Sequence, residues 1–168
     1  MSKAPKQLDE LFHDTLKDVY FAEKKILTTL PKMMKAAQND DLKAAFEKHR
    51  GETEGQVERL VQVFAIIDKK PQGKTCDAIM GIVKEGEEVI EEYKGSSALD
   101  AGLLAVAQAV EHYEISRYGT LKAWAEELGH EDAATLLDET LEEEKNTDAA
   151  LTELAESVIN RDAEAKAA

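Results

Sequence analysis

Five glutamates and a histidine are the residues of this chain most able to do chemistry, because their spacing carries them into helix faces that are otherwise apolar. Glu23 follows Val19 by one turn and precedes Ile26 by three residues, so its carboxylate falls on the stripe that a helix would bury. An unpaired carboxylate there is costly and needs a partner. Glu114 occupies the matching place in the second half of the chain, and Glu111 lies one turn earlier on the same face, amid Leu104, Ala107, Ile115 and Tyr118. In the second predicted helix, a rotation of about 100° per residue puts His49 about 40°, Gln56 about 60° and Glu52 about 100° from the middle of the apolar stripe. Glu143 matches Glu52 in the last helix. Glu144 competes with it, since the spacing of Leu137, Leu141, Leu151 and Ala155 centres the stripe nearer Glu144.

Carboxylates gathered in this way repel one another unless cations separate them. Oxygen-rich sets with few imidazoles suit hard or intermediate metals, and a pair of iron or manganese ions would neutralise four or five such groups. The other reading pairs each glutamate with a buried Arg or Lys. Tyr20 and Tyr118 lie near the same layer, as packing residues or as redox partners.

Four long helices must position these groups. Leu8, Leu11, Phe12, Leu16, Val19, Ile26 and Leu30 predict a first helix over about Pro5 to Ala37, with a kink or break at Pro31. Asn39-Asp40-Asp41 caps a second helix, striped by Leu42, Phe46, Val57, Leu60, Val61 and Phe64 and ending near Ile67. Lys69-Lys70-Pro71-Gln72-Gly73 breaks the pattern, and a shorter helix carrying Ile79, Ile82, Val83, Val89 and Ile90 leads to Gly95-Ser96-Ser97. Ser97 with Asp100 reads as the start of a third long helix over about Ala98 to Leu128, which stops at Gly129. A fourth runs from about Glu131 to Asn160, with a frayed tail over 161–168.

A register that lays Val19 on Val110 also lays Glu23 on Glu114, Leu30 on Leu121, Asp41 on Asp132, Glu52 on Glu143 and Leu60 on Leu151, and it aligns the two interhelical turns without a gap. The prediction is therefore an all-α, single-domain, up-down four-helix bundle over 1–168. Its hairpins span about 5–67 and 98–160, and the crossover of about 68–97 carries the additional helix.

Composition narrows the function. A formal charge of −14 disfavours nucleic acid and anionic membranes as partners. No apolar run approaches the roughly 20 residues that span a bilayer, the first residues lack a signal-peptide core, and the lone Cys76 cannot form an internal disulfide, which together point to the cytoplasm. No phosphate-binding glycine loop or nucleophile elbow is visible.

The stretch Val110-Glu111-His112-Tyr113-Glu114-Ile115-Ser116-Arg117-Tyr118-Gly119-Thr120-Leu121 is joined by Glu142-Glu143-Glu144-Lys145 and by His49-x-x-Glu52-Thr53-x-x-Gln56-Val57-x-Arg59-Leu60. Together these resemble the YciF-like family of ferritin-like stress proteins over nearly the whole chain. The resemblance implies a rubrerythrin-like bundle, often dimeric, with a dinuclear iron site between its four helices. Other di-iron bundles draw one Glu from each of two helices and a Glu-x-x-His pair from each of the others. Here Gly55 follows Glu52 and Asn146 follows Glu143 at the histidine spacing, leaving His49 as the substitute.

The expected ligand set is thus Glu23, Glu52, Glu111, Glu114, Glu143 and His49, holding iron or manganese, with Glu52 and Glu143 bridging. The expected function is handling of iron or peroxide under stress, an oxidoreductase if the site turns over. The alternative is a helical structural or interaction protein whose site has degenerated. A homodimer is expected either way, because the helix carrying Trp124 has apolar residues on more than one face.

Overall fold

A computed structural model describes residues 5–164; the reading of the first residues as lacking a signal-peptide core, for 1–4, and the frayed tail, for 165–168, lie outside them. Its elements are α1 (Leu8–Ala36), α2 (Asp40–Ile66), α3 (Asp77–Glu92), α4 (Leu99–Glu127) and α5 (Glu131–Leu154), the last continued by a π-helical turn (Ala155–Ile159) and a short α6 (Asn160–Glu164). No strand occurs among the described residues. Helices α1 and α2 form one antiparallel hairpin and α4 and α5 the other, with α1 against α4 and α2 against α5 closing the bundle. The crossover brings α3 onto the outside of α4 and α1. It is tied to α1 by the Lys74 amide, which donates to the Lys17 carbonyl at 3.1 Å.

The helix ends follow local chemistry. Asn39 caps α2, its side-chain oxygen accepting from the amides of Asp41 at 2.9 Å and Leu42 at 3.0 Å. Gly129 ends α4 in the left-handed region, at φ 76°. The predicted break at Pro31 is absent, and α1 runs through it. Pro31 is exposed, so the ring that removes the donor to the Leu27 carbonyl lies on the outer face of the helix and does not disturb the core.

The predicted cap at Ser97 is also not formed. Ala98 precedes the helix without a side-chain cap. Asp100 instead reaches across to the α1–α2 turn and accepts from the amides of Gln38 at 2.8 Å and Asn39 at 2.7 Å. This carboxylate fastens the start of the second hairpin to the turn of the first.

The core comes in two blocks. Phe12, Leu16, Val19, Leu60, Phe64, Tyr118, Leu121 and Leu137 fill one end of the bundle. Ile26, Leu30, Leu42, Phe46, Ile79, Leu103, Val110 and Leu151 fill the other. The second apolar face of α4 is covered near Val106 and Val110 by Ile79 and Val83 of α3.

Candidate metal centre

Between the two apolar blocks lies a layer of buried polar side chains contributed by all four long helices. Each helix reaches it where its apolar stripe is interrupted: α1 at Glu23, between Val19 and Ile26; α2 at His49, Thr53 and Gln56, between Phe46 and Leu60; α4 at Glu111 and Glu114, between Val110 and Tyr118; α5 at Glu144 and Thr147, between Leu141 and Leu151. Glu23, Glu111, Glu114 and Glu144 are wholly enclosed, each with 0% of its surface exposed, and His49 with 2%.

No Lys or Arg pairs with these four carboxyls among the described residues, so the ion-pair reading is not realised there. Among the described residues their only basic neighbour is His49, whose Nδ1 lies 3.0 Å from Glu111 Oε1 and whose Nε2 lies 4.0 Å from Glu114 Oε2. Tyr118 donates its hydroxyl to Glu23 Oε1. Apart from carboxyl-to-carboxyl contacts of Glu111 with Glu144 and of Glu23 with Glu114, and the contact of Glu144 with Gln56, both oxygens of Glu111, Glu114 and Glu144, one of Glu23, and His49 Nε2 have no hydrogen-bond partner. So many orphaned buried polar atoms in one place call for a missing partner.

Electrostatics supports the same view. Burial pushes the Glu23 carboxyl up to about 8 and that of Glu111 to about 11, with the neighbouring carboxylates adding to the effect. Glu144 rises to about 7, chiefly through burial, and Glu114 well above the usual carboxylate range for the same reason. His49 is pushed down to about 4 by burial and by Lys48. The short His49–Glu111 approach is therefore a neutral imidazole beside a neutral carboxyl, since burial outweighs the attraction that would charge them both.

The donor geometry suits a metal ion. His49, Glu111, Glu114 and Glu144 each offer one ligand atom, all within 4.8 Å of one another. Bonds of about 2.1 Å to a common centre place opposite donors about 4.2 Å apart, so modest side-chain adjustment closes the set around an ion. Glu23 lies beside Glu114 at the same level.

The structure separates the expected ligand residues into two groups. Glu23, Glu111, Glu114 and His49 meet in the layer. Glu52 and Glu143 do not face it: they sit half-buried at the α2–α5 seam. There Glu52 takes Lys48 at 2.5 Å and the Thr147 hydroxyl at 3.3 Å, while Glu143 takes both guanidinium nitrogens of Arg59 at 2.7 and 2.5 Å and Gln56 Nε2 at 3.1 Å.

The register of the repeat survives this displacement. It pairs His49 with Thr140, Gln56 with Thr147 and Leu60 with Leu151, all buried. It also pairs Thr53, an inward position that sequence analysis did not weigh, with Glu144, the rival that the α5 periodicity favoured over Glu143. The residues at Glu-x-x-His spacing on the buried stripes are thus Thr53-x-x-Gln56 and Glu144-x-x-Thr147, and only one of the four positions keeps its metal-binding type. Thr53 turns its hydroxyl onto the His49 carbonyl at 2.9 Å.

Four long helices around a central layer of carboxylates, with a crossover between the hairpins, define a ferritin-like helical bundle. Within that class the chain belongs to the family described as Domain of unknown function (DUF892), which matches residues 7–164. Protein YciF of Escherichia coli K12 is 46% identical over 163 residues, covering 96% of this chain and 98% of that one. The crystal structure of the E. coli stress protein YciF superposes with a TM-score of 0.89 at 45% identity, over 94% of this chain and 99% of the other. YcfI of Rhodopseudomonas palustris, whose description suggests a structural role, gives 0.86 at 46% identity over 90% and 97%. A protein from Xanthomonas campestris shares the fold alone, with a TM-score of 0.69 at 21% identity over 92% and 94%.

Proposed function

We propose that this protein binds a pair of divalent iron or manganese ions in the layer formed by Glu23, Glu111, Glu114, Glu144 and His49. The observation that carries the reading is the set of enclosed carboxyls without a cationic side chain to balance them. Four carboxylates and two divalent ions make a neutral unit, which removes the repulsion that otherwise keeps the carboxyls protonated. His49 is already in the neutral form that ligates. Bound iron would supply one-electron redox chemistry in a site that the two apolar blocks shield from water, in keeping with a role in handling iron or peroxide under stress.

This chain's own residues set the terms of that role. Tyr118 holds Glu23 in place through its hydroxyl. Arg59 and Gln56 retain Glu143 at the seam, and Thr147 retains Glu52, so both stay outside the layer and act on it only through their charge.

The test is metal analysis of the protein purified without chelator and after anaerobic ferrous loading, beside the isosteric Glu111→Gln, Glu114→Gln variant. About two ions per chain, lost in the variant, is the expected result for a four-carboxylate centre. A native protein without metal after loading would leave the reading of a structural or interaction bundle, which the loss of the Glu-x-x-His residues at Thr53, Gln56 and Thr147 favours.

A further inference from the structure

A small apolar cavity abuts the carboxylate layer on its α3 side. Ile26, Leu30 and Met33 of α1, Val83 of α3 and Ala107 of α4 line it, and His49 of α2 closes it toward the layer. His49 is thus a wall shared by the cavity and by the group of ligand atoms. The centre of a water-sized sphere has about 20 Å³ to move in, room for a molecule of two or three heavy atoms.

Water has little reason to occupy this space, because a buried water needs two to four polar partners. The lining is almost wholly carbon: Thr29, its one hydroxyl, already donates to the Lys25 carbonyl at 2.9 Å, and the unpaired Nε2 of His49 is a single partner where a water needs at least two. A partly enclosed apolar space of this kind is a poorer place for an ordered water than for a small apolar molecule. The roof is the crossover helix, at Val83 and Gly86. Gly86 is a close approach, since a β-carbon there would stand 3.1 Å from a Val106 methyl.

We propose that this cavity is a holding site for dioxygen, set against His49 and delivering to the carboxylate layer. Among dissolved gases, dioxygen combines the size and apolarity that the cavity admits with reactivity toward a ferrous centre. The delivery step rests on the metal-binding reading given above, whereas the holding site itself does not. Val83 and Gly86 then give α3 a task beyond joining the hairpins, because they close one side of the cavity.

The experiment has a metal-free arm and a ferrous arm. Metal-free protein pressurised with xenon should show one xenon atom in the cavity by crystallography, and Ala107→Leu, whose side chain grows into the space, should show none. Ferrous-loaded Ala107→Leu should keep its metal content and react with dissolved dioxygen at least fivefold more slowly than the native protein. Gly86→Ala, a smaller intrusion, stands in should Ala107→Leu fail to fold. Native protein without xenon at this place, or a filled cavity with metal retained and the dioxygen rate unchanged, would overturn the proposal. Native protein that takes xenon but no metal would overturn the reading of the centre and the delivery step while leaving the holding site established.

Discussion

At the scale of single residues, the layer ties stability to pH with a sign set by burial. Carboxyls raised from 4.5 to about 7 at Glu144 and about 8 at Glu23 stabilise the metal-free fold fully below pH 4.5 and lose that contribution as the pH climbs through those values. His49, lowered from 6.5 to about 4, acts in the opposite sense and withdraws its contribution as the pH falls through that window. Metal-free protein should therefore melt at progressively lower temperature from pH 5 to pH 8, and Glu144→Gln should flatten that slope. Metal-loaded protein should show the reverse trend, because ions displace protons from the same groups. Calorimetric scans across that range, with and without metal, check both; a metal-free melting temperature that rises from pH 5 to pH 8 would contradict the account.

The same residues show how far the site could be read before the structure. Glu23, Glu111 and Glu114 were legible because each interrupts a clear apolar stripe, and His49 because it lay nearest to the middle of the α2 stripe among the polar residues on its edge. Glu52 was misplaced because the α2 stripe was drawn through Val57 and Val61, which are half-buried and exposed. Moving its centre to Thr53, between His49 and Gln56, turns Glu52 out to the seam. Between Glu143 and Glu144 the periodicity of α5 was the better guide to burial. A repeat transmits whatever misalignment its first copy carries, whereas the stripe on α5 is an independent reading.

Among the elements, helix order and crossover were legible from breakers and periodicity, since these depend on local chemistry. Asp100 was not. Three residues after a serine at a helix start, it has the spacing of a cap, and only the tertiary arrangement shows it bonding across to Gln38 and Asn39. Replacing it by Ala leaves two amide donors of a tight turn without their charged acceptor, and each hydrogen bond to a charged group contributes about 1.5 to 3 kcal/mol. Allowing for water reaching part of the turn, Asp100→Ala should lower unfolding free energy by about 2 to 4 kcal/mol in urea titration with an unchanged slope. A loss below about 0.5 kcal/mol, the range of ordinary surface changes, would mean that the turn is held by other contacts.

For the molecule as a whole, the polar layer divides a bundle that would otherwise have one continuous core. Without metal, enclosed carboxyls and orphaned polar atoms make this mid-section the weakest part, although it is far from the ends where helices usually fray. Hydrogen exchange on metal-free protein should therefore run faster for amides around Thr53 and Glu144 than for those beside Leu60 or Phe46, and metal should erase the difference. Uniform protection along α2 and α5 in the metal-free state would refute this.

The π-helical turn at Ala155–Ile159 bears on how the layer keeps its aim. At an α-helical pitch the four-residue steps from Thr147 through Leu151 and Ala155 to Ile159 would accumulate about 120° of rotation and swing the last side chain off the core. The wider turn slows the winding, so that Leu151, Ala155 and Ile159 all stay buried. The phase error of the last helix is thereby discharged beyond the centre instead of being passed back along it. Glu144 can face the layer at one end of the strand of residues while Ile159 seals the apolar block at the other, each without dictating the other's angle.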